Sequence, residues 1–134
     1  TRATTNQTVT NGVATKVQLN SEDFDIGGCF DSTTNYRFTP NVAGIYRFEW
    51  AVRGAGAATF VAVLSVIQKN GVDKDVGSYS AIPSYTIGFS TGSALIQMNG
   101  TTDYIELLGY VNAGGTCTVG IGSFLSGSLV SPAP

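Results

Sequence analysis

From Gly44 onward the chain alternates: Tyr46, Phe48, Trp50 and Val52 take one set of positions, and Arg47, Glu49, Ala51 and Arg53 the other. This period of two is that of a half-buried antiparallel strand, whereas a helix would scatter the rings around its circumference. The strand is entered through Asp31-Ser32-Thr33-Thr34-Asn35, whose side chains close turns, and through Pro40 and Val42-Ala43-Gly44, which fix a corner. Residues 1–11 are polar and tolerant of β structure, and with an Asn11-Gly12 turn they predict an arm or edge strand over 1–12 leading into 13–19. Residues 22–28 mix acidic and apolar positions before a glycine pair and predict a short strand followed by a bend.

Beyond the central strand, residues 54–58 (Gly-Ala-Gly-Ala-Ala) are expected to form a flexible loop, and 59–68 a nearly continuous apolar strand, buried on both faces for part of its length. Asn70-Gly71 is the strongest hairpin signal in the chain, because both central residues of a two-residue turn need positive φ. Residues 72–81 return as its partner. After Pro83, a strand over 85–98 is expected to bulge at Ser90-Thr91-Gly92-Ser93. A turn at 99–103 precedes a strand over 104–111 with Ile105, Leu107 and Val111 on one face and Tyr104, Glu106, Leu108 and Tyr110 on the other. A turn over 112–116 and a last strand over 117–130 follow, and the 131–134 tail, Ser-Pro-Ala-Pro, is not expected to extend a ladder. About eight to ten strands with frequent turns predict an all-β, antiparallel jelly-roll sandwich rather than a meander barrel.

Composition narrows the function. The 134 residues suit one domain, 1–134, long enough to bury a sandwich core. Charged residues are 12% of the chain and its net charge is −2, so neither a nucleic-acid footprint nor a basic membrane patch is present. No apolar run approaches the roughly 20 residues of a membrane helix, and no membrane insertion is expected. The chain opens on Thr rather than Met, and the expectation is a larger parent protein. With no histidine, Ser-His-Asp and Cys-His catalysis, His-based zinc sites and a His pH switch are excluded. Cys29 and Cys117 are two free thiols or one long-range disulfide, and their spacing does not decide between them.

The remaining chemistry is sparse. Asp23 and Asp25 would share a strand face and are the candidates for a cation site, though a solvated acidic edge is the commoner explanation of such a pair. Asp23 with Asp25, or Asp73 with Asp75, are the carboxylate pairs a glycosidase would need, but nothing marks a cleft around them. No catalytic residue and no cofactor are expected. Exposed rings can stack on sugars. Trp50 shares a face with Tyr46 and Phe48 and is expected in the core, which leaves Tyr79 and Tyr85, flanking Pro83, as the candidate recognition patch.

One family matches these motifs in order. Phe30-Asp31, Arg37-Phe38-Thr39-Pro40, Val42-Ala43-Gly44-Ile45-Tyr46-Arg47-Phe48, Lys69-Asn70-Gly71, Asp103-Tyr104-Ile105-Glu106-Leu107 and Phe124-Leu125-Ser126-Gly127-Ser128-Leu129 resemble the C1q-like domain of the tumour necrosis factor jelly-roll superfamily, in the form found in bacteriophage virion proteins. The opening, Thr15-Lys16-Val17-Gln18-Leu19-Asn20 through Phe24-Asp25, resembles phage-type members as well, so the likeness covers residues 15–129. Thr102 stands where the pattern has Gly, and one extra residue separates Phe124 from Gly127. The resemblance implies a ten-stranded, non-enzymatic jelly roll that assembles as a homotrimer. It implies a place in the virion, as a fibre or spike head that binds host-surface glycan or protein beside other virion proteins. A capsid or tail decoration module that recognises nothing outside the particle is the alternative, and a secreted cellular C1q-like binding domain is another.

Assembly has a candidate in the pattern itself. If Phe124 points inward, Val119, Ile121 and Leu125 point outward with Cys117 and Ser123, an apolar stripe of the kind that marks an interface. The other reading puts Val119 and Ile121 in the core with Phe124 after a bulge. Tyr104, Leu108 and Tyr110 are the second interface candidate, or else the half-covered outer face of the sandwich.

Overall fold

The computed structural model describes residues 1–81 and 86–134, with the side chains of all of these except 59–61. The alternation from Gly44 becomes a strand, and a longer one than its pattern predicts. Nine strands are described: β1 (Gln7–Val9), β2 (Thr15–Lys16), β3 (Phe30–Asp31), β4 (Arg37–Phe38), β5 (Gly44–Lys69), β6 (Val72–Val76), β7 (Ile87–Met98), β8 (Ile105–Val119) and β9 (Phe124–Pro132). All their pairings are antiparallel.

β5, 26 residues long, belongs to both layers of the sandwich. β7 flanks it as far as Ala55 and β9, on the other side, as far as Ala51. From Gly54 onward it pairs with β8, and at Val66 to Lys69 with β6 as well. The far edge of β8 carries β1, β2 and β4, with β3 outside β4. One layer is therefore β7–β5–β9 and the other β3–β4–β8–β5–β6.

The crossing from layer to layer corrects two expected loops. Residues 54–58 and 112–116 are ladder, not loop: Gly56 pairs with Cys117 and Ala58 with Gly114, and the register slips between Gly56 and Ala58, Ala58 and Phe60, and Phe60 and Ala62. A Cβ on Gly56 would overlap the Cβ of Ala113. Small residues here let two strands approach and bulge as they bend together.

The two layers close over Phe48, Trp50 and Val52 from the first half of β5, Val63 and Ile67 from the second, and Ile105, Leu107 and Val111 from β8, all buried. Each such large side chain contributes about 1.5–3 kcal/mol by leaving water. Phe38 meets Tyr46 and Phe48 edge-on, with ring centroids 5.6 and 5.4 Å apart, the geometry that ring quadrupoles favour. At the centre the layers are tied by polar groups. The Trp50 indole N–H donates to Ser65 Oγ at 2.8 Å, that oxygen lies 2.7 Å from Ser90 Oγ, and the Ser65 amide donates to Ser90 Oγ at 2.9 Å.

Turn chemistry follows the sequence closely. Asn70 and Gly71 adopt φ of 53° and 77° and join β5 to β6 as the two-residue hairpin expected. At 99–103 the Asn99 side-chain oxygen accepts the amides of Thr101, Thr102 and Asp103 at 3.0, 3.0 and 2.9 Å. Asp103, in turn, pairs with Lys69 at 2.7 Å and accepts from Asn70 Nδ2 at 2.8 Å, clamping this turn to the hairpin beside it.

Three further expectations are corrected. Residues 22–28 form no strand, because Asp25 turns its carboxylate back onto the chain and accepts the Phe30 amide at 2.7 Å. β7 pairs with β5 with no register shift, so there is no bulge at 90–93. Ser90 points into the core, and a Cβ on Gly92 would overlap the Trp50 ring, which accounts for the polar and small residues there. Finally, 117–130 is not one strand. A turn over 120–123, with Gly122 at φ 99°, separates β8 from β9, and β9 runs on to pair Ser131 and Pro132 with Ile45 and Gly44.

Candidate functional site

Three surfaces offer themselves for function, and the strand pairings define each. The first is the outer face of β7–β5–β9. Cross-strand pairing sets Arg47 opposite Leu95, Arg53 opposite Phe89, Ala55 opposite Ile87 and Ala51 opposite Phe124, so these side chains share one side of the sheet. Leu95 is 62% exposed, and Ile45, Ile87, Phe89 and Phe124 are exposed too. Ile121, in the turn before β9, is also exposed. Within this apolar field stand Arg47, Glu49 and Arg53, none of which makes an ion pair among the described residues.

This geometry corrects the expected stripe. Val119 is 1% and Leu125 4% exposed, and Cys117 and Ser123 are buried with them, so the protomer's own core holds four of the five. Only Ile121 faces outward. The phase itself was inverted: the odd positions Cys117, Val119 and Leu125 face the core on both sides of the 120–123 turn, so Phe124 points out and Leu125 in.

The second surface is the outer face of β8, where Tyr104, Glu106, Leu108 and Tyr110 are half-buried. The Arg37 guanidinium sits 4.6 Å above the Tyr104 ring, Lys16 pairs with Glu106 at 2.9 Å, and Leu108 lies between Lys16 and Val66. The chain itself covers part of this face. Of the two candidate recognition rings, Tyr79 is exposed, and Tyr85 lies outside the described residues.

The third surface was not anticipated. A trough of about 480 Å³ runs between β9 and the 24–30 loop, with Phe30, Phe38 and Tyr46 in its lining. The carboxylates nearby are engaged. Asp23 pairs with Arg2 at 2.8 Å. Burial pushes Asp25 up, but the amides of Phe30, Cys29, Gly27 and Gly28 outweigh it and hold the carboxyl below its ordinary range. The two do not share a strand face, and no group of three or more Asp, Glu or Cys side chains placed to hold a metal ion occurs among the described residues. Cys29, half-buried at the trough, and Cys117, in the core, are both free thiols. The exposed pair Phe24 and Ile26 was the sequence signal for this site, obscured by reading the acidic residues between and beside them.

No helix among the described residues is long and apolar enough to cross a membrane. No family model and no curated protein sequence matches the chain. The fold does find a match: the globular domain of zebrafish complement 1qA protein superposes with a TM-score of 0.65 over 99% of this chain and 100% of that one, at 14% sequence identity. The fold is thus that of a C1q globular domain, an all-β antiparallel sandwich.

Proposed function

We propose that this chain is a non-enzymatic recognition domain that works as a homotrimer, the head of a bacteriophage fibre or spike that attaches the virion to a host-surface glycan or protein. The observation that carries the assembly is the outer face of β7–β5–β9, where Ile87, Phe89 and Phe124 lie exposed toward one end and Leu95 and Ile45 toward the other, with the row Ser93, Glu49 and Ser126 between them. Soluble monomers seldom leave so many large apolar side chains on one sheet face in water, and Arg47, Glu49 and Arg53, without an ion pair among the described residues, give that face charges for a neighbour to match. The phage placement is supported by the resemblance of the 37–48 and 103–107 motifs to virion-type C1q-like domains. Ile121 extends this interface, Tyr104, Leu108 and Tyr110, on the outer face of the other layer, are a second contact surface for a neighbouring copy, and Tyr79 with Tyr85 forms the recognition patch.

The test joins mass to activity. Light scattering on the eluting protein should give three copies per particle, Leu95→Asp with Phe89→Asp should give one, and the trimer should bind host bacteria and block infection. A monomeric parent protein removes the assembly. Stable binding to the particle shell with none to cells replaces attachment with decoration. The likeness to a complement domain favours a second reading, a secreted binding module. A Gly-X-Y stretch and a secretion signal in the parent chain would decide for it.

A further inference from the structure

We propose that Asn70-Gly71 is a self-modifying turn, in which the chain's own Gly71 nitrogen converts Asn70 to aspartate or isoaspartate and the new carboxylate releases the β5–β6 hairpin from the 99–103 turn. Three Asn-Gly pairs occur in the sequence, at 11–12, 70–71 and 99–100. Glycine shields its own amide nitrogen least, so that nitrogen reaches the side-chain carbon of a preceding asparagine most readily. The reaction balances with water alone. The Gly71 nitrogen bonds to Cγ of Asn70 and gives its proton to solvent, the Cγ–Nδ2 bond breaks, and Nδ2 leaves as ammonia with a proton taken from solvent. Water then opens the succinimide at either carbonyl, which leaves a carboxylate where the amide stood or routes the main chain through the side chain.

The fold separates the three pairs. At 11–12 the nucleophile is engaged, since the Gly12 amide donates to the Val111 carbonyl at 2.8 Å. At 99–100 the side chain is locked: Asn99 Oδ1 accepts the amides of Thr101, Thr102 and Asp103, and Nδ2 donates to Thr102 Oγ1 at 2.8 Å. Gly100 is also packed so closely on Val42 and Ala43 that a Cβ there would overlap the Ala43 nitrogen. At 70–71 both residues are exposed, and the Gly71 amide has no hydrogen-bond partner among the described residues. Two bonds hold the Asn70 side chain: Nδ2 donates to Asp103 Oδ1 at 2.8 Å, and Oδ1 accepts the Tyr104 amide at 2.9 Å. Breaking them frees Cγ to turn to Gly71. The product undoes the clamp, because an oxygen in place of Nδ2 sets one carboxylate against another, with Lys69 already paired to Asp103. Isoaspartate lengthens the main chain of a two-residue turn that has no slack.

The test incubates the purified chain at mildly alkaline pH, folded and in denaturing urea. Peptide mass spectrometry follows each asparagine, and isoaspartyl methyltransferase counts isoaspartate. In urea the three pairs should react at comparable rates, and in the folded protein Asn70 should react ahead of Asn11 and Asn99. Asp103→Ala, which removes the acceptor of Nδ2, should speed the reaction at Asn70 about tenfold, while Lys69→Met, which leaves the Asp103–Asn70 bond in place, should change it less than about threefold. A cooperative urea transition shows that each variant folds. Asn70→Asp supplies the product directly and stands without them: it should lower the folding equilibrium about tenfold, and Asp103→Asn added to it should restore part of the loss. Reaction at Asn11 or Asn99 ahead of Asn70 in the folded protein overturns the proposal, as does a folded Asn70 that stays intact when the urea sample is fully converted. A rate at Asn70 that Asp103→Ala leaves unchanged overturns it too, and so does Asn70→Asp as stable as the parent.

Discussion

Ser65→Ala removes one hydroxyl from the middle of the sandwich, and the surroundings set what that should cost. The oxygen accepts the Trp50 indole N–H at 2.8 Å and lies 2.7 Å from the Ser90 hydroxyl. Ser65 and Ser90 are fully buried and Trp50 nearly so, leaving no room for water to replace the lost partner. A net hydrogen bond is worth about 1 kcal/mol, and stranding the indole donor raises the loss to about 1–3 kcal/mol. At ~2 kcal/mol the folding equilibrium shifts roughly thirtyfold. Because Ser65 and Ser90 share partners, Ser65→Ala and Ser90→Ala together should depart from the sum of the singles by at least ~0.5 kcal/mol. Trp50 is the single tryptophan, so its fluorescence during urea unfolding reads the core directly. A Ser65→Ala loss under about 0.5 kcal/mol with an unchanged urea slope would refute the reasoning, since the indole would then not depend on this oxygen.

Other outcomes follow from single contacts. Gly92→Ala should destabilise by about 1–3 kcal/mol, because its methyl enters the space of the Trp50 ring and overpacking of a close core costs that much; the same fluorescence-detected urea curve measures it. Acid should weaken the fold through Asp103 and Asp31. The hydrogen bonds of Lys69 and Asn70 hold Asp103 below its ordinary 3.8, and the amides of Thr34 and Thr33 hold Asp31 lower still. A carboxyl depressed in the folded state stabilises above its unfolded pKa and loses that stabilisation as pH falls through its folded one. Urea midpoints should therefore hold from neutral pH down to about 4 and drop below it, with a smaller drop in Asp103→Asn than in the parent. Asn70→Ala should destabilise by about 1–2 kcal/mol, read from the same urea curve, since it loses the positive-φ turn residue and the bond to Asp103 together.

The legible parts of this molecule are those where one residue meets one local demand. Asn70-Gly71 specifies a turn without help from the rest of the chain, and the alternation of 46–52 fixes which face of β5 is core. What escaped was decided between strands distant in sequence. The Gly and Ala residues of 54–58 and 112–116 have the composition of loops, and their strand character comes from each other, through the pairing of Gly56 with Cys117 and Ala58 with Gly114. Likewise Ser90 and Gly92 interrupt an apolar strand only until Trp50 and Ser65 are placed opposite them. The interface stripe failed for a smaller reason, the choice of an inward Phe124, because in a strand an inverted phase sends every side chain to the opposite face. Phe124, expected inside, came to the surface, and Val119 and Leu125, expected at an interface, went into the core.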